Sequence, residues 1–490
     1  MFERWLASQE TPESRALIDR VCASSRAEAR AAAARLAAIG ELFAVRLGQT
    51  GESEDWAVDT WEAVAAEVAA ALRTSVAMGS SYLRYALAMR DRLPQVGAVF
   101  AAGDIDYRMF ATMVYRTDLI TDEQVLAGVD ARLAVRAPRW PSMTRGRLAA
   151  QVDKLVYRHD RDALRRRREL VADREVSIWD SDAGMADIHG SLFSTDAHAL
   201  DTRLDALAAT VCDRDPRSRA QRRADALGAL AAGADRLGCR CEHPDCTAGG
   251  RPAAGPVVIH VLAEQATLDG VSDTPGSGAG ADELIPAELV AELAKSARLR
   301  PLIHPADAPP EPGYTPSRAL ADFVRCRDLT CRAPGCDRPA VGCDLDHTVP
   351  HGDGGATHAS NLKCLCRIHH LLKTFWGWRD TQLPDGTLIW TLPSGVTYVT
   401  TPGSALLFPS LCAPTGDLPA PDPPARGDRC GDRTAMMPTR QRTRAQHRAD
   451  AITAERHHNY QTRQARHHNR DPAYFADTPP PTDDDEPPPF

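Results

Sequence analysis

Cysteine and histidine residues between positions 331 and 369 are the first candidates for chemistry. Cys331 and Cys336 form one closely spaced pair, and Cys366 and His369 form a second pair about 30 residues later. Two such pairs make up the ligand set of a closed tetrahedral zinc site. The spacing therefore predicts a structural Zn²⁺ ion, and reduced core cysteines are the alternative. Three neighbouring cysteines could replace a misassigned ligand but are interpreted as packing residues: Cys326, Cys343 and Cys364.

Four polar residues beside these pairs suggest a second, open metal site. Asp346 and His370 offer an oxygen and an imidazole, which with water suit Mg²⁺, Mn²⁺ or a similar divalent ion. His347 would be a free imidazole able to deprotonate water. The Asn361 amide could fix the His347 loop by hydrogen bonding to backbone. Ordinary polar loop residues are the alternative for all four, but their position around the two zinc pairs favours a functional site.

A further cysteine cluster lies nearer the middle of the chain. Cys239, Cys241, His243 and Cys246 could form a second zinc site. Isolated reduced thiols are the slightly favoured interpretation of the cluster, because no distant partner pair is evident.

The spacing of apolar residues predicts which secondary-structure elements position these candidate residues. Apolar residues at three-to-four spacing predict helices over about 12–47 and 56–89, and further helices extend to about residue 170. At Glu175 the pattern changes to short strands and helices. The expected domains are therefore a mainly helical domain at 1–300, helical over 1–170 and mixed α/β over 171–300, then a proline-rich linker at 301–317.

Length and composition set limits on the class of protein. A chain of 490 residues with 43% hydrophobic and 25% charged residues should fold into two or three units. The sequence has neither 18 consecutive apolar residues nor a signal-peptide pattern at its start, so a cytoplasmic protein with no membrane partner is expected. The Pro-, Arg- and His-rich stretch 414–490, with its acidic end, is predicted to be a disordered tail, with at most a transient helix near RTRAQHRADAITAERHH.

Net charge alone, −8, argues against nucleic acid, but the charge is unevenly distributed. Between Arg426 and Arg470 there are eleven arginines against four acidic residues, and the segment from Arg318 to Arg379 is also basic. A basic C-terminal part on an acidic helical body is compatible with a polyanionic partner for that part only.

The motifs CRAPGC, DLDH, GDGG and CLCRIHHLLK resemble those of the HNH endonucleases, whose ββα-metal fold places a hairpin and a helix around one catalytic metal. The resemblance implies that His347 is the general base, Asn361 the residue that orients it, and Asp346 and His370 the ligands of the catalytic metal. It covers about Arg318 to Lys373, and we assign 318–403 to this module with its following β-hairpin. The resemblance implies that the partner is DNA, and double-stranded DNA is the expected form. Four basic residues could hold its backbone: Arg338, Lys363, Arg367 and Lys373.

A looser likeness covers the rest of the chain. The helical stretch from Leu93 to Ile105, the GMADIHGSL turn and RAQRRADAL resemble the 13E12-repeat proteins, which carry a helical domain of unknown function before an HNH module. The expected fold class is thus α+β: a mostly α-helical N-terminal domain with a small β-containing segment, a zinc-stapled HNH module and a disordered tail.

Three function classes remain open from the sequence. The first, which the intact His347, Asn361 and His370 favour, is a metal-dependent DNA endonuclease that hydrolyses phosphodiester bonds. The second is a non-catalytic DNA-binding protein of a mobile element or of regulation, and the third is a structural protein whose helical domain binds another protein. Metal-dependent cleavage would separate the first from the others, and salt-sensitive DNA affinity would separate the second from the third.

Overall fold

A computed structural model of the chain describes residues 11–51, 54–140, 143–165, 175–181, 185–192, 194–241, 243–246, 248, 260–278, 284–295, 297–416, 418 and 437–468. The fold is mixed α+β and mostly helical, as predicted. The chain divides into two compact units, one made of residues 1–166 with 430–490 and the other of residues 167–429. The predicted linker at 301–317 therefore lies within the second unit and does not separate the two. None of the described helices is long and apolar enough to cross a membrane.

The first unit is a bundle of helices. Its N-terminal part contains α1 (Pro12–Thr50), α2 (Thr60–Leu72), α3 (Val76–Leu87), α4 (Pro94–Ala102), α5 (Tyr107–Thr117), α6 (Glu123–Arg136) and α7 (Arg145–His159). The continuous helix predicted over 56–89 is divided, because Arg73 adopts a left-handed conformation and Ser75 caps the next helix. Helices α2 and α3 pack closely at Gly79, where a Cβ atom would lie 2.1 Å from the carbonyl oxygen of Ala65. Phe100 and Phe110 stack in the apolar core.

The predicted disordered tail is wrong for part of its length. Residues Arg444–His468 form a helix, α14, that packs on the bundle through ion pairs rather than through a large apolar face. Arg456 lies 2.6 Å from Asp160, and Arg463 lies 3.0 Å from Asp162. Asn459 is buried and donates to the carbonyl oxygens of Asp162 and Leu164. The composition of this segment predicts too little hydrophobic burial to stabilise a helix. Charge complementarity with the bundle supplies the stabilisation instead. Residues 417, 419–436 and 469–490 of the predicted tail, including its acidic end, lie outside the described residues.

We expect the docking of α14 to weaken as salt concentration rises. Exposed and half-buried ion pairs are screened, since the Debye length falls from about 10 Å at 0.1 M salt to about 3 Å at 1 M. Hydrogen exchange should therefore speed up in α14 at high salt, while the amides of α5, which packs through apolar residues, change little. Equal protection of α14 at both salt concentrations would show that its docking does not depend on these arginines.

The second unit contains several small sheets and helix pairs. Strands β1 (Glu175–Ser181) and β2 (Met185–Ser191) form an antiparallel hairpin, followed by α8 (Ser194–Ala208) and α9 (Arg219–Ala231). A small sheet of β3 (Val261–Leu262), β4 (Gly276–Gly278) and β5 (Leu284–Ile285) accompanies α10 (Gln265–Leu268) and α11 (Ala287–Ala294). The remainder contains α12 (Arg318–Asp328), β6 (Asp344–His347), β7 (Leu362–Leu365), α13 (Arg367–Phe375), β8 (Arg379–Gln382), β9 (Leu388–Thr391) and β10 (Thr397–Thr400). Strands β6 and β7 pair antiparallel, and β8, β9 and β10 form a meander.

Candidate metal centre

The β6–β7 hairpin and helix α13 position the predicted functional residues, and a buried ion pair at the end of α12 holds the hairpin. Arg327 donates to the carbonyl oxygens of Ala359 and Leu362, both at 2.8 Å. Asp328, which is fully buried beside Arg327, accepts the backbone N–H of Cys364 at 2.8 Å. These charge-assisted hydrogen bonds fix the start of β7 against the end of α12.

Cys331, Cys336, Cys366 and His369 form the first metal-ligand group, as the spacing predicted. The Sγ atoms of Cys336 and Cys366 are 3.9 Å apart, and Nδ1 of His369 lies 3.2 Å from Sγ of Cys366 and 3.6 Å from Sγ of Cys331. A tetrahedral zinc ion with Zn–S bonds of about 2.3 Å separates its sulfur ligands by about 3.8 Å. The residues present therefore fit a single tetrahedral ion, which would join the 331–336 turn to the start of α13.

His347, the predicted general base, is buried at the end of β6. Its Nε2 atom lies 2.9 Å from the hydroxyl oxygen of Thr357, and its ring stacks on Tyr314. The Thr357 hydroxyl donates its own proton to the carbonyl oxygen of Gly313 at 2.6 Å, so it accepts the proton of His347 Nε2. The lone pair of the neutral ring is then on Nδ1. The nearby Asp346 carboxylate acts to raise the pKa of His347, but burial outweighs it and lowers that pKa. The lowered pKa favours the neutral ring.

Asn361 binds the loop after His347 through backbone hydrogen bonds, as predicted. Its Oδ1 atom accepts the N–H of Val349 at 2.8 Å, and its Nδ2 atom donates to the carbonyl oxygens of Val349 and Ala356. Gly355 makes this loop conformation sterically accessible, because a Cβ atom there would lie 1.8 Å from the Val349 carbonyl oxygen. Asn361 therefore sets the conformation of the segment that follows His347 through its backbone groups.

Replacing Asn361 with alanine should lower the free energy of unfolding by about 2–4 kcal/mol, since three hydrogen bonds are lost and their backbone partners are left unpaired. Urea denaturation measures the loss, and hydrogen exchange should show a faster Val349 amide. Asn361→Asp is the matched control, because it keeps the acceptor for Val349 and loses the two donors. An alanine variant as stable as the unmutated protein would contradict this role.

Asp346 and His370 lie together, with the spare nitrogen of the histidine turned toward the carboxylate. His370 Nε2 is 3.5 Å from Asp346 Oδ1, and His370 Nδ1 is 2.8 Å from Asp344 Oδ2. Donation of Nδ1–H to Asp344 leaves the lone pair on Nε2, the arrangement in which a carboxylate orients a metal-binding histidine. Ligands bound to one ion at about 2.1 Å at right angles are about 3 Å apart, so these two atoms fit one divalent ion.

Two lysines occupy the other oxygen of Asp346, and this corrects one prediction. Lys363 and Lys373 each place Nζ 2.7 Å from Asp346 Oδ2, and both also pair with the buried Asp380. Lys363 is fully buried, so its assignment as a DNA-binding residue is wrong. Register explains the contact, because Asp346 and Lys363 face each other across the hairpin. Burial acts to raise the pKa of Asp346, but the two ammonium groups outweigh it and hold that pKa below its usual value.

The other predicted DNA contacts differ in exposure. Arg338 and Arg367 are exposed, and Arg367 lies 3.5 Å from Asp344 at the start of α13. Lys373 is largely buried and donates to the carbonyl oxygens of His347 and Thr348 as well as to Asp346. Lys373 therefore ties α13 to the end of β6 and is not a free surface cation.

The second cysteine cluster is a four-sulfur group, with one ligand different from the prediction. Cys212, Cys239, Cys241 and Cys246 have their sulfur atoms within 4.8 Å of one another. His243 is outside the group and is exposed, with its Nδ1 accepting the N–H of Asp245. The prediction of His243 as a ligand is wrong, because Cys212, which lies between α8 and α9 in the sequence, supplies the fourth position.

Sequence reasoning missed several residues that shape the site. Asp344 orients His370, and its signal was its place two residues before Asp346, since alternate residues of a strand share a face. Thr357 and Tyr314, which bind and stack on His347, carried no such signal because they come from separate loops.

The amino-acid sequence of this chain is similar to those of bacterial proteins over most of its length. Two relatives from Mycobacterium tuberculosis (strain ATCC 25618 / H37Rv) are the uncharacterized proteins Rv3776, 48% identical over 89% of this chain and 88% of the relative, and Rv2100, 45% identical over 90% and 87%. No solved structure matches the chain. The family model described as domain of unknown function (DUF222) matches residues 23–328. Since this match spans more than half of the chain, the protein belongs to the DUF222 family.

Proposed function

We propose that this protein is a metal-dependent DNA endonuclease of the HNH type. The observation that carries the proposal is the arrangement around the β6–β7 hairpin: a neutral His347 with Nδ1 free, beside a carboxylate and an imidazole that fit one divalent ion. A general base next to a metal-ligand pair can activate water and stabilise the charge that develops in phosphodiester hydrolysis.

The chain's own residues would act as follows. His347 Nδ1 would accept a proton from the water that attacks phosphorus, while Thr357 holds Nε2–H and thereby fixes the tautomer. Asp346 Oδ1 and His370 Nε2 would hold the divalent ion, Mg²⁺ or Mn²⁺ by ligand type, which supplies Lewis acidity at the phosphate and the leaving oxygen. Arg367 and Arg338 would bind flanking phosphates of double-stranded DNA. The resemblance to HNH enzymes implies 5′-phosphate products.

The Cys₃His group would serve structure rather than reaction. Its four ligands form a closed set with no position left for water, which is typical of structural zinc. The ion would hold α13, and with it His370, against the turn at Cys331 and Cys336.

A second candidate function is DNA binding without cleavage. The observation that favours it is the pair of ammonium groups on Asp346 Oδ2, which already neutralise the carboxylate expected to attract a cation. In such a protein the module would grip DNA, and its affinity would depend on salt but not on the divalent ion.

Plasmid nicking by the full-length protein tests the two functions. The nuclease proposal expects conversion of supercoiled to open-circular DNA with Mg²⁺ or Mn²⁺ and none with EDTA. DNA binding of equal strength with and without divalent ion, together with no nicking in any metal, would reject the nuclease and leave the binding protein.

A further inference from the structure

The four-sulfur group of the second unit is distinct from the candidate nuclease site. Cys212 Sγ and Cys239 Sγ are 3.6 Å apart, and the Sγ atoms of Cys241 and Cys246 lie within 4.8 Å of both and of each other. We propose that Cys212, Cys239, Cys241 and Cys246 bind a second structural zinc ion. The proposal does not depend on the nuclease function.

The sulfur spacing selects the kind of metal. A separation of 3.6 Å is close to the edge of about 3.8 Å in a tetrahedral zinc–thiolate site. An iron–sulfur cluster places several iron atoms between its cysteines and so needs sulfurs further apart. An all-sulfur set also disfavours Mg²⁺ and Ca²⁺, which prefer oxygen ligands. A single zinc ion therefore fits these four residues best.

A hydrogen-bonded clasp positions the ligands independently of the metal. Arg217 donates to Asp215 at 2.7 Å, to Asp225 at 2.6 Å and to the carbonyl oxygen of Gly238 at 2.7 Å. Asp215, whose side chain is fully buried, also accepts the N–H of Arg240 at 2.9 Å. The clasp thus holds the two residues on either side of Cys239 against the segment that follows Cys212.

The loop that carries three of the ligands has little apolar core of its own beside this clasp. Among the described residues from 232 to 246, Leu237 is the one buried apolar side chain, and these residues form neither helix nor strand. Small segments without a core are commonly held by disulfides or structural metals. A zinc ion bound by Cys212 and the three loop cysteines would link the segment after α8 to the segment after α9. It would thereby stabilise the packing of these two helices.

Zinc content of the full-length protein tests the site. We expect two zinc ions per chain by elemental mass spectrometry, and one in Cys212→Ser. The matched control His243→Ala should keep two, because His243 lies outside the sulfur group. Cys331→Ser should lose the other ion and so distinguishes failure at this site from failure at the Cys₃His group. One zinc per chain in the unmutated protein, unchanged in Cys212→Ser, would overturn the proposal.

A measurement on the unmutated chain covers the case in which Cys212→Ser does not fold. Cobalt titration of the metal-free protein should reach two equivalents, with one spectrum typical of four thiolates and one of three thiolates and an imidazole. Saturation at one equivalent would contradict the proposal. Intact mass without reductant gives a second check, since loss of two hydrogens per disulfide at these cysteines would assign them to disulfides instead.

Discussion

Replacement of His347 with alanine should lower the metal-dependent nicking rate by about 10²–10⁴-fold, the usual contribution of a general acid–base group. Thr357 holds Nε2 of the buried ring, and within the described part of the chain Nδ1 has no hydrogen-bond partner, so this nitrogen can accept a proton. The measurement is the initial rate of conversion of supercoiled plasmid at saturating Mg²⁺ or Mn²⁺. Zinc content and DNA affinity should be unchanged, because His347 is neither a zinc ligand nor an exposed cation.

His198→Ala is the matched control for this experiment, since His198 is an exposed residue of α8 and contributes nothing to the hairpin site. It should nick at the rate of the unmutated protein. Nicking by His347→Ala at that same rate would remove His347 as the base and would point to a contaminating nuclease.

Replacement of Cys331 with serine should unfold the hairpin module. Structural zinc contributes about 10–16 kcal/mol of apparent binding free energy in small domains, which is comparable to the whole stability of a typical domain. Zinc content should fall by one ion, and the amides of β7 should lose protection from hydrogen exchange. Cys366 loses a further contact, because its backbone N–H donates to Cys331 Sγ at 3.3 Å.

Cys364→Ser provides the control, because Cys364 is equally buried but lies outside the metal-ligand group. The Cys364 thiol lies 4.0 Å from the carbonyl oxygen of Val324, a weak contact, so serine should cost about 1–3 kcal/mol and retain the zinc. A Cys331→Ser protein with full zinc content and unchanged β7 protection would show that another residue completes the ligand set.

The predictions from sequence agree with the structure where the contacts are local in the chain. The pairs at Cys331 and Cys366 could be assigned from spacing, because a metal site constrains residue type and separation together. Asn361 could be assigned because its role depends on nearby backbone. Helices of the first unit followed from apolar periodicity.

The missed features depend on contacts between distant residues. Cys212 lies 27 residues before Cys239, and the packing of α8 against α9 together with the Arg217 clasp brings them together. The charge of Lys363 suggests an exposed, DNA-binding side chain. The register of the hairpin instead places Lys363 opposite Asp346, and its Nζ atom pairs with the buried Asp380. Helix α14 has few apolar residues, so its order could not be inferred without knowing the acidic bundle surface that receives it.

The helical unit is built from two stretches of chain that are far apart in sequence. This separation determines the stage of protein synthesis at which the unit can finish folding. Its first seven helices are synthesised before residues 167–429, and α14 comes only afterwards. Until α14 emerges from the ribosome, Asp118, Asp160 and Asp162 lack their arginine partners from that helix. Closing so long a loop costs only modestly more entropy than closing a short one. The final helix can therefore dock late, and completion of the bundle marks a chain that has been translated through its second unit.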